Sequence, residues 1–260
     1  MMFGRSCRIA LLGLIAVPLA VGAAPGIHRD TSAMLLRRLC FTCGSRLDSL
    51  RLDAVETWKQ AGAKGVPTSE TDAVFFHHGV PIEVELTHDG RELSPRAHAA
   101  QLRQSLHLEH LIDRAAPESA GPLLNLAGEV WTITRFETEY SWRELPPAQM
   151  DGKVCTRLAF TPKPGLHPHS RLERIVSRTE GELDVDPATG QVLAGSFRSL
   201  GPVGFGGGLL ARFSAFHGTF TMQPVPGSTS WVLRRAVVEV RGRELFHHVN
   251  GTETMTYAIR

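Results

Sequence analysis

The side chains able to do chemistry are plentiful in this chain but scattered. Twelve histidines occur in 260 residues. His77-His78 and His247-His248 fall in segments of strand character, where neighbouring side chains leave on opposite faces, so neither pair is expected to converge on one ion. His107 and His110 stand three apart in a helical pattern and share a face, yet no acid stands at the spacing of a zinc-hydrolase motif. His167-Pro168-His169 lies in a loop where both rings can approach one ion, but no third ligand is evident. Exposed or capping roles are the simpler reading, and no metal site is assigned.

Cysteine chemistry is equally thin. Cys40-Phe41-Thr42-Cys43 is followed by Gly44 rather than the histidine of covalent haem attachment. Redox catalysis places such a pair at the start of a helix that follows a strand. Here the pair falls at the end of a short predicted helix, so a structural disulfide or idle thiols is favoured, with Cys155 left over; whether Cys40 and Cys43 are bonded stays open. Gly204-Phe205-Gly206-Gly207-Gly208 lacks the Lys-Ser/Thr of a nucleotide loop and the spacing of a dinucleotide fingerprint, and reads as a turn. No Gly-x-Ser-x-Gly elbow is present. Glu180, Glu182, Asp184 and Asp186 read as strand-edge charges rather than a glycosidase carboxylate pair. The expectation is a binding protein without cofactor, not an enzyme.

The elements that must position these groups begin after a leader. Arg5 and Arg8 precede an apolar run from Ile9 to Val21, and Val21-Gly22-Ala23 has the small-x-small pattern of a cleaved secretory signal. Residues 1–23 are therefore expected to be removed, leaving one domain over residues 24–260. The leader holds two arginines and no acid, so the remainder carries equal numbers of basic and acidic residues. That balance leaves no electrostatic footprint for nucleic acid. No apolar run after the leader reaches the length of a membrane span, so the mature chain is expected to have no transmembrane segment.

Within the domain, Leu50 to Gln60, Asp72 to His78 and Pro81 to His88 read as strands, and His88-Asp89-Gly90-Arg91 as a turn. Ser94-Pro95 is a helix start, and the helix is predicted to reach about Arg114 with Leu102, Leu106, Leu108, Leu111 and Ile112 as its apolar residues. Almost everything later reads as strand: Glu129 to Tyr140, Lys153 to Phe160, Arg171 to Arg178, Glu182 to Val185, Gln191 to Ser199, Ala215 to Met222, Ser230 to Arg241 and Glu244 to Ile259. A turn at Gly242-Arg243 would join the last two. The fold class is α+β, a curved antiparallel sheet wrapped around one long and one short helix.

The order of short motifs resembles a known group. Val55-Glu56-Thr57-Trp58, Asp89 to Ser94, Asp151-Gly152-Lys153, Phe160-Thr161-Pro162-Lys163-Pro164, Gly181 to Asp186, the glycines from Gly204 to Gly208, and Gly242-Arg243 occur in an order similar to that of the outer-membrane lipoprotein-sorting proteins, the LolA/LolB/RseB-like half-barrels of bacterial periplasms. The resemblance is to a divergent branch and runs from about residue 48 onward. It implies a periplasmic half-barrel whose concave side holds acyl chains of a lipid-modified partner.

The functional expectation is a periplasmic protein that binds a lipid, a lipoprotein acyl chain or another apolar ligand on the inward face of its strands. Ile82, Val84, Leu86, Trp131, Ile133, Phe136, Leu158 and Phe160 are the expected lining, with Phe205 as a lip or as core. The alternative is a sensor or interaction module that binds an envelope protein.

Overall fold

The computed structural model describes residues 47–61, 67–115, 123–126, 129–132, 138–150, 152–205, 211–244 and 247–260. The leader, the expected short helix with Cys40 and Cys43, and Ile133 and Phe136 lie outside them.

Fourteen strands are described: β1 (Arg51–Gln60), β2 (Thr68–His77), β3 (Val80–His88), β4 (Arg91–Glu92), β5 (Leu123–Leu126), β6 (Glu129–Thr132), β7 (Tyr140–Met150), β8 (Lys153–Pro162), β9 (Thr179–Val185), β10 (Val192–Ser199), β11 (Val203–Phe205), β12 (Ala211–Pro224), β13 (Trp231–Glu244) and β14 (His247–Ile259). The described α-helices are α1 (Pro95–Ala115) and α2 (Arg171–Val176), with a 3-10 turn at Leu47–Ser49. Twelve strands form one antiparallel sheet in the order β4-β3-β2-β1-β14-β13-β12-β10-β9-β8-β7, with β11 paired to β12 off this path. Its ends do not meet, so the sheet is an open half-barrel. No described helix is long and apolar enough to cross a membrane.

Local chemistry explains most of these elements. Alternation in β1 buries Leu52, Ala54 and Trp58 and leaves Val55 outside. His78 and Gly79 both take positive φ, 49° and 74°, as do Asp89 and Gly90 at 51° and 71°. Such two-residue turns match the twist of the strands they join. Helix α1 starts as predicted: Pro95 opens it, and the Ala97 N–H donates to Ser94 Oγ at 3.3 Å.

Four expectations change. Arg171–Val176 is helix, not strand, because Ser170 caps it and Glu173 reciprocates in a capping box. The Ser-x-x-Glu spacing was present in the sequence to announce it. Glu129 to Tyr140 is not one strand: among the described residues β6 pairs with β5 alone, in a separate two-stranded ribbon. Trp131 sits on that ribbon and not on the large sheet. Strand β7 escaped notice because Pro146 and Pro147 interrupt its alternation, and its pairing with β8 shifts register there. Finally, Gly242-Arg243 lies inside β13, which continues to Glu244. Gly242 is called for by close packing, since a Cβ there would stand 2.8 Å from Phe213 Cα.

The main core lies on one face of the sheet, closed by α2 through Ile175 and Val176 and by Phe205 on β11. A second, small cluster of Val80, Ile82 and Ile112, with Phe75, Leu108 and Ala115 against it, seats α1 on β3. Register places it on the other face. Val74 pairs with Glu83 and points into the core, so Phe75 and its partner Ile82 point the opposite way. Leu102 and Leu106 of α1 remain exposed.

Candidate functional site on the inner face of the sheet

Pairing registers trace rows of side chains across the inner face. One row runs Trp142, Phe160, Gly181, Phe197, Gly218, Val238, Glu253, Trp58 from β7 to β1. The next runs Glu144, Leu158, Leu183, Gly195, Phe220, Ala236, Met255, Glu56, Glu70, and ends at His88 on β3. Aromatic residues and glycines alternate because each ring lies on a neighbouring glycine. A Cβ on Gly181, Gly195, Gly218 or Gly251 would come within 2.4–2.7 Å of a ring atom of Phe160, Phe220, Phe197 or Trp58. Flattened rings over glycine let a sheet curve while its inner side stays covered with apolar surface.

The two ends of this face differ chemically. At the β7 end, Tyr140, Trp142 and Phe160 make an aromatic wall, with centroids 5.5 Å apart for Tyr140–Phe160 and 5.6 Å for Trp142–Phe160. The Tyr140 hydroxyl donates to the Val176 carbonyl at 2.5 Å, tying the wall to α2, and burial raises its pKa. Trp142 and Phe160 are only partly buried. The indole Nε1 of Trp142 is itself out of reach of solvent and has no hydrogen-bond acceptor among the described residues. A buried donor without an acceptor costs about 1–3 kcal/mol.

At the β3 end the inner positions are acidic: Glu253, Glu56, Glu70, Asp72, Glu83 and Glu85 all follow the inward register. The Tyr257 hydroxyl donates to Glu83 Oε1 at 2.7 Å. Glu83 is exposed to water along part of its length, and its carboxyl end is crowded by the buried Tyr257 ring. Loss of bulk solvent raises its pKa from the ordinary 4.5, against the Tyr257 bond, and the charge of Glu56 adds to the rise. The phenol of Tyr257 is pushed up in turn, by burial first and then by Glu83, so it stays a donor.

The residues expected to line one cavity are divided by the fold. Leu158, Phe160 and Phe205 are on the inner face, and Leu158 is fully buried at 0% exposure. Phe205 is also buried, its ring packed on Phe213 at 6.1 Å, which makes it core. Ile82 and Val84 face the other way, with Ile82 under α1. Leu86 is 37% exposed, because a bulge pairs Thr71 with Thr87 but Asp72 with Glu85 and leaves Leu86 over. Trp142, Tyr140, Glu83 and Tyr257 escaped the sequence reading. Trp142 belongs to the unrecognised strand, and Glu83 to a strand whose faces were judged by hydrophobicity alone.

Other candidates also find their places. Glu180 and Asp184 are on the outer face of a central strand, where Arg198 Nη2 approaches Glu180 at 2.7 Å and Arg157 Nε approaches Asp184 at 2.8 Å. They are cross-strand pairs and not edge charges. Cys155 is a free, buried thiol whose pKa burial raises. His167 and His169 lie in the loop before α2, where the His169 backbone N–H donates to Glu173. Among the described residues, the groups of three possible metal ligands occur elsewhere, at His77, His78 and Asp113 and at Glu70, Glu85 and His88.

No protein-family model matches the chain, and no curated protein matches it. Among solved structures it is similar to a LolA superfamily protein from Nitrosomonas europaea, at 10% identity over 90% of this chain and 92% of the other, with a TM-score of 0.35. It is similar also to a domain named for outer membrane lipoprotein sorting from Vibrio parahaemolyticus, at 9% identity over 89% and 91%, with a TM-score of 0.41. A third is MucB in the MucA/MucB complex of Pseudomonas aeruginosa, at 13% identity over 89% and 93%, with a TM-score of 0.24. At these identities, function has to be read from the side chains of this chain itself.

Proposed function

We propose that the chain is an exported, periplasmic binding protein that holds a lipid, a lipoprotein acyl chain or a similar apolar ligand against the aromatic wall at the β7 end of its inner face. The observation that supports this reading is the combination of Trp142 and Phe160, both partly open, with the buried, unaccepted N–H of Trp142. An acyl chain laid on the rings gains about 0.8 kcal/mol per buried methylene before ordering costs. A turn of the half-open indole on binding would bring its N–H out to an ester or amide carbonyl at the ligand's head, giving the donor the acceptor it lacks. Fully buried Leu158 then serves the floor and not the ligand.

The test is native mass spectrometry of the mature protein purified from its own envelope compartment, followed by lipid extraction. A co-purifying acyl-chain mass, lost on denaturation and diminished in Trp142→Phe, is the expected result. A bare polypeptide mass, with no shift on adding lipid, overturns it. The reading that would then stand is an interaction module for an envelope protein, which exposed Leu102 and Leu106 on α1 and the largely filled inner face favour.

A further inference from the structure

The strongest unassigned chemistry lies on the opposite face, where the β2–β3 turn meets the end of α1. In an extended strand His77 and His78 would point to opposite sides. Strand β2 stops at His77, however, and His78 takes φ 49° in the turn. The left-handed residue brings its ring round beside its neighbour, with centroids 4.7 Å apart and planes at 68°. Both rings then meet one carboxylate from the last turn of α1. Asp113 Oδ1 lies 2.7 Å from His77 Nε2 and 3.3 Å from His78 Nε2. One donor atom from each of the three residues lies within 4.8 Å of the other two.

The arrangement is held from both sides. Ile112, next to Asp113, is fully buried against Val80 and Ile82 and anchors that helix turn. On the other side the Gly79 N–H donates to Asp48 Oδ1 at 2.9 Å, which fixes the turn carrying His78. The three side chains stay open to solvent, at 32%, 53% and 49% exposure for His77, His78 and Asp113, so an ion can enter and keep a water.

We propose that His77, His78 and Asp113 form a binding site for a zinc-class divalent cation. Two imidazoles and a carboxylate suit the borderline cations, whereas magnesium and calcium require oxygen-rich shells. Three protein ligands leave a fourth tetrahedral position for water. The ion would tie the β2–β3 turn to the end of α1, two segments 35 residues apart or more in sequence. It is independent of any ligand on the inner face.

The experiment is titration of the chelator-stripped mature protein with zinc chloride, read by calorimetry, with magnesium chloride as control and cobalt substitution read by its visible spectrum. Expected are one zinc equivalent, no magnesium binding, and a tetrahedral cobalt band that zinc displaces. His78→Asn tolerates the left-handed backbone, and Asp113→Asn preserves shape; each should weaken zinc at least tenfold, while His167→Ala should not. Circular dichroism of the metal-free variants guards against misfolding, and the cobalt spectrum of the unmutated chain stands without them. Absence of stoichiometric zinc, or zinc and cobalt binding unchanged in folded His78→Asn and Asp113→Asn, overturns the proposal.

Discussion

At Glu83 the fold sets a carboxylate against its own charge. Its pKa is raised from 4.5, so the folded state holds the proton more tightly than the unfolded chain. The sign follows from linkage: the penalty is absent below about 4.5 and develops as pH rises through the raised value. Thermal stability should therefore fall over that window, and Glu83→Gln, which still accepts from Tyr257, should flatten the fall. Melting curves from pH 4 upward check it, and an unchanged slope in Glu83→Gln would show that other groups carry the dependence. A steric prediction belongs at Gly181, where a Cβ would stand 2.1 Å from the Ser196 carbonyl oxygen and 2.7 Å from Phe160. Gly181→Ala should cost about 1–3 kcal/mol or more, as overpacking does, read by urea unfolding. That glycine was visible in the sequence only as part of a turn-like motif. Its actual task, lying under a ring from the adjacent strand, depends on a register no local pattern records.

Helix α1 shows how an element can be legible and still be misplaced. Its start at Ser94-Pro95 follows from capping chemistry that local sequence contains, and its predicted end was off by a single residue. Which face it buries was not legible. Leu102 and Leu106 are exposed, and Ile112 does most of the docking. Ile112→Ala should cost about 2–5 kcal/mol by cavity formation under the helix, measured by denaturant titration. If it costs under 1 kcal/mol, α1 is held elsewhere. Helix α2 is the converse case. Its capping box is written in Ser170 and Glu173, but the apolar Leu172, Ile175 and Val176 around it fit a strand pattern as well. Six residues are too few for a helical period to declare itself against an alternating one.

At the scale of the molecule, an open sheet has two edges, and this chain protects both. Strand β4 has only two residues. Strand β7 carries exposed Pro146 and Pro147, which remove two donors and break the ladder with β8. Pro146→Thr with Pro147→Val should restore a continuous edge and yield larger species than the unmutated chain in size-exclusion chromatography with light scattering; an unchanged mass would mean the edge is protected otherwise. The sequence by itself determined what is local: antiparallel strands from alternation, a turn from the Asp89-Gly90 chemistry, and one helix from its cap. Only the tertiary structure decided which faces come together. It put Leu158 and Ile82 on opposite sides, joined Glu83 to Tyr257 across 174 residues, and turned His78 toward His77 and Asp113. The physical reason is range. Backbone propensities and caps act over a few residues, whereas a face is assigned by pairing register, and one residue of bulge or slip reverses it.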